Sequence, residues 1–145
     1  METRIETVQI FIPFFGVMIL TFLVWIYMYI RRLSWIFANN PEPSMLSTPE
    51  KLNQIIPEQI TYPANNLKNL FELPVLFYAV CLYLAWSSTV DMVDIYCAYG
   101  FFIFRVVHSV IHCTVNIVLA RFWIYILSSI FLWVMILRSA YQLIS

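Results

Sequence analysis

Charge is what this chain has least of: Asp, Glu, Lys and Arg make up 11% of its 145 residues, against 62% hydrophobic. A soluble domain of this length cannot hide that much apolar surface. Glycine occurs only twice while aromatic residues reach 18%, and the class this composition leaves is an integral membrane protein. Net charge is absent as well, eight basic residues balancing eight acidic ones, so no nucleic-acid partner is indicated. No CxxC occurs, and the three cysteines, Cys81, Cys97 and Cys113, leave an odd count. They read as small apolar packing residues rather than as a redox or metal set. The chain has two histidines, with no cysteine or second carboxylate at ligand spacing beside them, so no metal site is expected. Neither an internal repeat nor a low-complexity tract is present.

What is there is apolar and periodic. The first run, Val8 to Ile30, holds 23 residues without a charge and ends in Arg31-Arg32. It is too long for the apolar part of a signal peptide and lacks a small-residue cleavage site, so it reads as a retained membrane helix. Hydropathy predicts four helices at about 8–31, 66–86, 93–114 and 120–141, an all-α four-helix transmembrane bundle forming a single membrane domain over residues 1–145. The second reads as the weakest by hydropathy, because its uninterrupted apolar stretch is only Leu73 to Trp86. Residues 32–65 are expected as the one long loop. They hold five of the seven prolines, Pro41, Pro43, Pro49, Pro57 and Pro63, and proline breaks a continuous helix. Within that loop Thr48-Pro49-Glu50 is suited to start a short helix, with Thr48 as cap. Pro74 should free the carbonyl of Leu70 and bend the second helix beside Glu72.

Orientation follows from the basic residues. Arg31, Arg32, Lys51 and Lys68 flank or occupy the long loop, and Arg121 follows the turn between the last two helices. The connection between the second and third helices carries Asp91 and Asp94 but no basic residue, and the termini offer only Arg4 and Arg138. The positive-inside rule then predicts both termini outside and the long loop in the cytoplasm.

The few polar residues of the helices are not scattered. At 100° per residue, Arg105, His108, His112 and Asn116 fall within roughly 80° of one another on the third helix, and Asn65, Lys68, Asn69 and Glu72 within about 100° on the second. Arg121 and Tyr125 are an i, i+4 pair on the fourth helix, with Ser128 a turn further on, and Arg31 lies one turn after Tyr27 on the first. Ionisable groups in lipid cost roughly 2.5 kcal/mol or more near a helix centre and are normally functional. Four polar faces at one membrane depth therefore predict a shared site. Arg31, Lys68, Arg105 and Arg121 are cationic and Glu72 is the only anion. An ion pair of Glu72 with Arg105 would leave a positive excess, which suits a ligand with carboxylates and one amine.

Three stretches, Asn69-Leu-Phe-Glu72-Leu-Pro-Val-Leu-Phe-Tyr78, Arg105-Val-Val-His108-Ser-Val-Ile-His112 and Arg121-Phe-Trp-Ile-Tyr125, resemble the family of membrane-associated proteins in eicosanoid and glutathione metabolism (MAPEG). The resemblance spans nearly the whole chain, with weaker support from Arg31 and the following Phe37-Ala38-Asn39. It implies a four-helix membrane protein, typically a homotrimer, that binds glutathione as co-substrate between subunits near the cytosolic face. It also implies roles for residues. Arg121 and Tyr125 match the catalytic pair beside the sulfur. Arg31, Lys68, Asn69, Glu72, His108 and His112 stand at the glutathione-binding positions, and Arg105 at that of a structural ion pair. Three positions depart from the family pattern. Lys68 keeps a charge without an arginine fork, His112 stands where tyrosine is frequent, and Phe122 replaces the serine of the prostaglandin-synthase branch.

The expectation is a glutathione-dependent membrane transferase or peroxidase, with a lipophilic electrophile arriving from the bilayer. One rival is a non-enzymatic binding or scaffold protein on the same fold. Another is a small transporter or proton relay using Glu72 and the histidines, which the nearly uncharged outer halves of the helices argue against.

Overall fold

The computed structural model describes residues 2–144, with side chains from residue 8 onward, so the side chain of Arg4 in the charge count lies outside the described part. The described residues form six helices: α1 (Glu2–Asn39), α2 (Pro49–Ile55), α3 (Glu58–Leu70), α4 (Leu73–Ser87), α5 (Met92–Cys113) and α6 (Val118–Ile144), with a 3-10 turn at Pro43–Leu46. No strand occurs among the described residues. Among the described residues four stretches are long and apolar enough to cross a membrane: Val8–Asn39, Glu58–Ser87, Met92–Cys113 and Val118–Ile144. The span with the lowest mean hydropathy is α5 and not the second one, because α5 contains Arg105, His108, Ser109 and His112, all four of them buried.

The first helix runs eight residues beyond the predicted end at Arg31. At 1.5 Å per residue its 38 residues reach about 57 Å, well past the ~30 Å hydrocarbon core. The uncharged part of the helix ends at the Arg31-Arg32 pair. The helix itself ends at Asn40, whose N–H bonds the Ile36 carbonyl at 2.9 Å and whose φ is 42°, a left-handed stop that asparagine tolerates. Pro41 follows and cannot continue the helix.

The expected loop at 32–65 is therefore mostly helical. Thr48 caps α2 by accepting the Lys51 N–H, with Pro49 at the first position. Pro57 precedes α3 and Pro63 lies inside it. Pro63 has no N–H for the Gln59 carbonyl four residues back, and that carbonyl instead accepts from the Arg31 guanidinium at 3.4 Å. Arg31 also donates to the Tyr27 hydroxyl at 2.9 Å. A proline that should end a helix is thus absorbed by a cation from the neighbouring one.

The second span is two helices. Pro74, near the start of α4, leaves the chain to break at Phe71 and Glu72, and Glu72 takes φ −97°, ψ −102°. Ser88, at φ 57°, ends α4. Asp91 opens α5 with a capping box, accepting the Asp94 N–H at 3.0 Å while Asp94 accepts its own. Arg138 of α6 pairs with Asp91 and ties this turn to the last helix.

Helix α1 packs on α3, α4 and α5, α5 on α6, and α4 on α6. Ile10, Phe14, Val17, Phe77, Val80, Leu84, Ala98, Phe101, Leu132 and Met135 form the main core, and all three cysteines are buried and free. Both glycines seat aromatic rings. A Cβ on Gly16 would lie 2.7 Å from the Phe102 ring, and one on Gly100 would lie 2.8 Å from Phe131. Many large apolar side chains face outward, Trp86, Phe22, Leu137 and Trp133 among them, as a surface solvated by lipid requires.

Candidate functional site

One cleft of about 480 Å³ gathers side chains from four structural elements. From α3 come Asn65, Lys68 and Asn69, and from the break before α4 comes Glu72. Helix α5 supplies His108 and His112, and α6 supplies Val118, Arg121, Phe122 and Tyr125. Eight polar residues singled out in the sequence, Asn65, Lys68, Asn69, Glu72, His108, His112, Arg121 and Tyr125, line this one space. The volume lies within the ~300–1,000 Å³ of small-molecule sites.

Hydrogen bonds fix the inner wall. His108 Nδ1 lies 2.9 Å from the Arg121 carbonyl. A carbonyl only accepts, so Nδ1 carries the hydrogen, and in the neutral ring Nε2 is then the acceptor. That Nε2 is buried with no partner. His112 Nδ1 lies 3.4 Å from the Asn69 amide nitrogen, which joins α5 to α3. The two imidazoles meet edge to face at 5.5 Å, and His108 meets the Tyr125 ring at 5.6 Å. Arg121 donates to the Asn116 side-chain oxygen. Among the described residues no three His, Cys, Asp or Glu side chains converge as metal ligands would.

The structure departs from the sequence reading at Arg105 and Asn116, and it places Arg31 apart from the cleft within the protomer. Arg105 makes no ion pair with Glu72. Arg105 is fully buried and its guanidinium carbon lies 4.3 Å from the Tyr125 ring centroid, whereas Glu72 is exposed at the helix break. The one ion pair among the described residues is Arg138 with Asp91. Arg31 does not line the cleft; it sits in a separate polar recess with Tyr27, Gln59, Tyr62 and Cys113. Asn116 is not on the helical face of Arg105, because α5 ends at Cys113. It occupies the next turn at φ 50°, its N–H on the Ile111 carbonyl at 2.7 Å, and reaches the site only through Arg121.

Asn66 was missed. It is fully buried, donates to Cys113 Sγ at 3.4 Å and accepts from Ser109 at 3.5 Å, bracing α3 on α5 behind the cleft. Its place beside Asn65 in a polar run hid it. Only its phase, on the same face as the apolar Leu70, distinguished it.

The lining carries two cations, Lys68 and Arg121, and one carboxylate, Glu72. Its charges suit a ligand with two carboxylates and an ammonium. A family model, the MAPEG family, matches residues 10–141. Neither a curated protein nor a solved structure matches the chain.

Proposed function

Because this chain belongs to the MAPEG family, whose membrane proteins serve glutathione and eicosanoid metabolism, we propose that it is a glutathione-dependent transferase or peroxidase acting on lipophilic electrophiles. The observation that carries the reading is the single cleft in which Lys68, Asn69, Glu72, His108, His112, Arg121 and Tyr125 converge. Two cations and one carboxylate complement the charges of glutathione, which is zwitterionic with one carboxylate in excess.

In this reading Lys68 and the amide of Asn69 hold the peptide's carboxylate end, and Glu72 meets its ammonium. Arg121 is held at one end by Asn116 and presents its charge to the thiol sulfur, where a cation favours thiolate. The thiolate attacks the electrophilic atom: a carbon–sulfur bond forms as a carbon–halogen or carbon–oxygen bond breaks, or a sulfur–oxygen bond forms as the O–O bond of a hydroperoxide breaks, the resulting sulfenic acid then being reduced by a second glutathione to the disulfide and water. Tyr125 donates its phenolic proton to the departing or opening oxygen and recovers one from water. Phe122 and Val118 form the apolar lip over which a membrane-dissolved substrate enters.

The assembly is a homotrimer with its sites at subunit contacts, and Arg31, placed outside its own protomer's cleft, serves a neighbouring one. The cleft and the α2–α3 region face the cytoplasm, where glutathione is supplied. Calorimetry of purified protein with glutathione, followed by turnover of an aryl chloride and of a lipid hydroperoxide, tests the reading. Saturable binding with one of the two turned over supports it. Binding with no turnover of either would leave a binding or scaffold protein, and no binding would refute both.

A further inference from the structure

We propose that Arg105 is a positioning residue that fixes the Tyr125 ring from the core side and supports catalysis through the Tyr125 hydroxyl, an inference that rests on the function proposed above. Arg105 is among the most completely buried side chains, and its Nε, Nη1 and Nη2 have no hydrogen-bond partner. A guanidinium buried in this way carries a large desolvation penalty, and an apolar residue of similar length would fill the space without one. What the guanidinium touches is aromatic. Its central carbon lies 4.3 Å from the Tyr125 ring centroid and 5.2 Å from that of Phe101. Phe101 stacks on Phe77 at 4.4 Å with 24° between the planes, and both rings are fully buried in the core.

A continuous stack, Phe77, Phe101, Arg105, Tyr125, thus runs from the core to the cleft wall. The remaining freedom of Tyr125 is small. Its carbonyl accepts from Ser128 at 2.9 Å and Ser129 at 2.7 Å, and its ring meets His108 edge to face. A cation on the ring face attracts the ring's electron density, which holds the plane in register and strengthens the phenolic O–H as a donor. Neither effect follows from a packing residue. A 1 Å misplacement of a donor is enough to lower a rate about 100-fold.

The test compares Arg105→Met and Arg105→Lys in the wild-type and Tyr125→Phe backgrounds, with a lipid hydroperoxide as electrophile, whose departing alkoxide oxygen needs the Tyr125 proton. Arg105→Met should lower kcat roughly 10–100-fold with the glutathione KM unchanged, and it should lower kcat no further once Tyr125→Phe has removed the hydroxyl. Arg105→Lys, which keeps the charge without the plane, should recover part of the loss. An equal fractional loss in both backgrounds, or a loss confined to glutathione affinity, would overturn the proposal. A wild type that binds no glutathione would overturn the functional reading instead. The contact is then still decided by thermal unfolding of Arg105→Lys, Tyr125→Leu and their combination. Non-additive losses sustain the stack, and additive losses refute it.

Discussion

Single residues carry more than one duty here, and the duties are separable. Asn116 takes the left-handed turn after α5 and also anchors Arg121. Asn116→Gly keeps the turn, since glycine is at ease at positive φ; thermal stability should hold while glutathione turnover falls. Asn116→Ala strains the turn as well and should also lose about 1 kcal/mol of stability, measured by unfolding in detergent. Glu72→Gln should abolish glutathione binding by calorimetry, if Glu72 meets the ligand's ammonium, and leave the fold intact, because its carboxylate has no ion-pair partner among the described residues. The residues of the cleft were legible in the sequence because polar groups on apolar helices stand out singly. Their partners were not. That Arg105 meets two aromatic rings, and that Arg31 meets the carbonyl Pro63 leaves free, depends on which helices touch, which periodicity within one helix does not encode.

At the scale of elements, the spans were legible and their ends were not. Hydropathy finds where a helix is apolar and so ends α1 at Arg31-Arg32, although nothing about two arginines stops a helix in water, and α1 continues to Asn39. Proline as a helix breaker fails at Pro63, where a neighbouring guanidinium compensates, and holds at Pro74. Close helix contacts rest on the two glycines. Gly100→Val would drive branched carbons into the Phe131 ring and should cost about 1–3 kcal/mol through overpacking, read as a lowered Tm. The turn between α4 and α5 should respond to acid. The Asp91 carboxyl lies below its ordinary value: burial opposes its ionisation, but the Asp94 N–H and the Arg138 guanidinium outweigh that. A lowered carboxylate stabilises above its unfolded value of about 3.9 and loses that contribution as pH falls through the native value. Asp91→Asn should therefore flatten the acid limb of a stability-against-pH curve, and an unchanged limb would show that the pair contributes nothing.

The whole molecule is a helical membrane bundle with an apolar core and a polar cleft. Apolar outward faces and the exposed cleft fit an assembly in which copies pack side by side, and native mass spectrometry in detergent should return a trimer. A stable monomer that still binds glutathione would remove the shared site. Labelling of cysteines introduced at Ser44 and Thr89 should find position 44 reachable only from the cytoplasm and position 89 only from outside; the reverse would invert the map. The central claim is that Arg121 sets the charge of a bound thiol. Stopped-flow absorbance of thiolate on mixing glutathione with wild type, Arg121→Lys and Arg121→Ala tests it most directly. The account predicts full thiolate formation in the wild type, a reduced yield with lysine and none with alanine at neutral pH, with binding weakened less than the yield. Equal thiolate yield in all three proteins would contradict it.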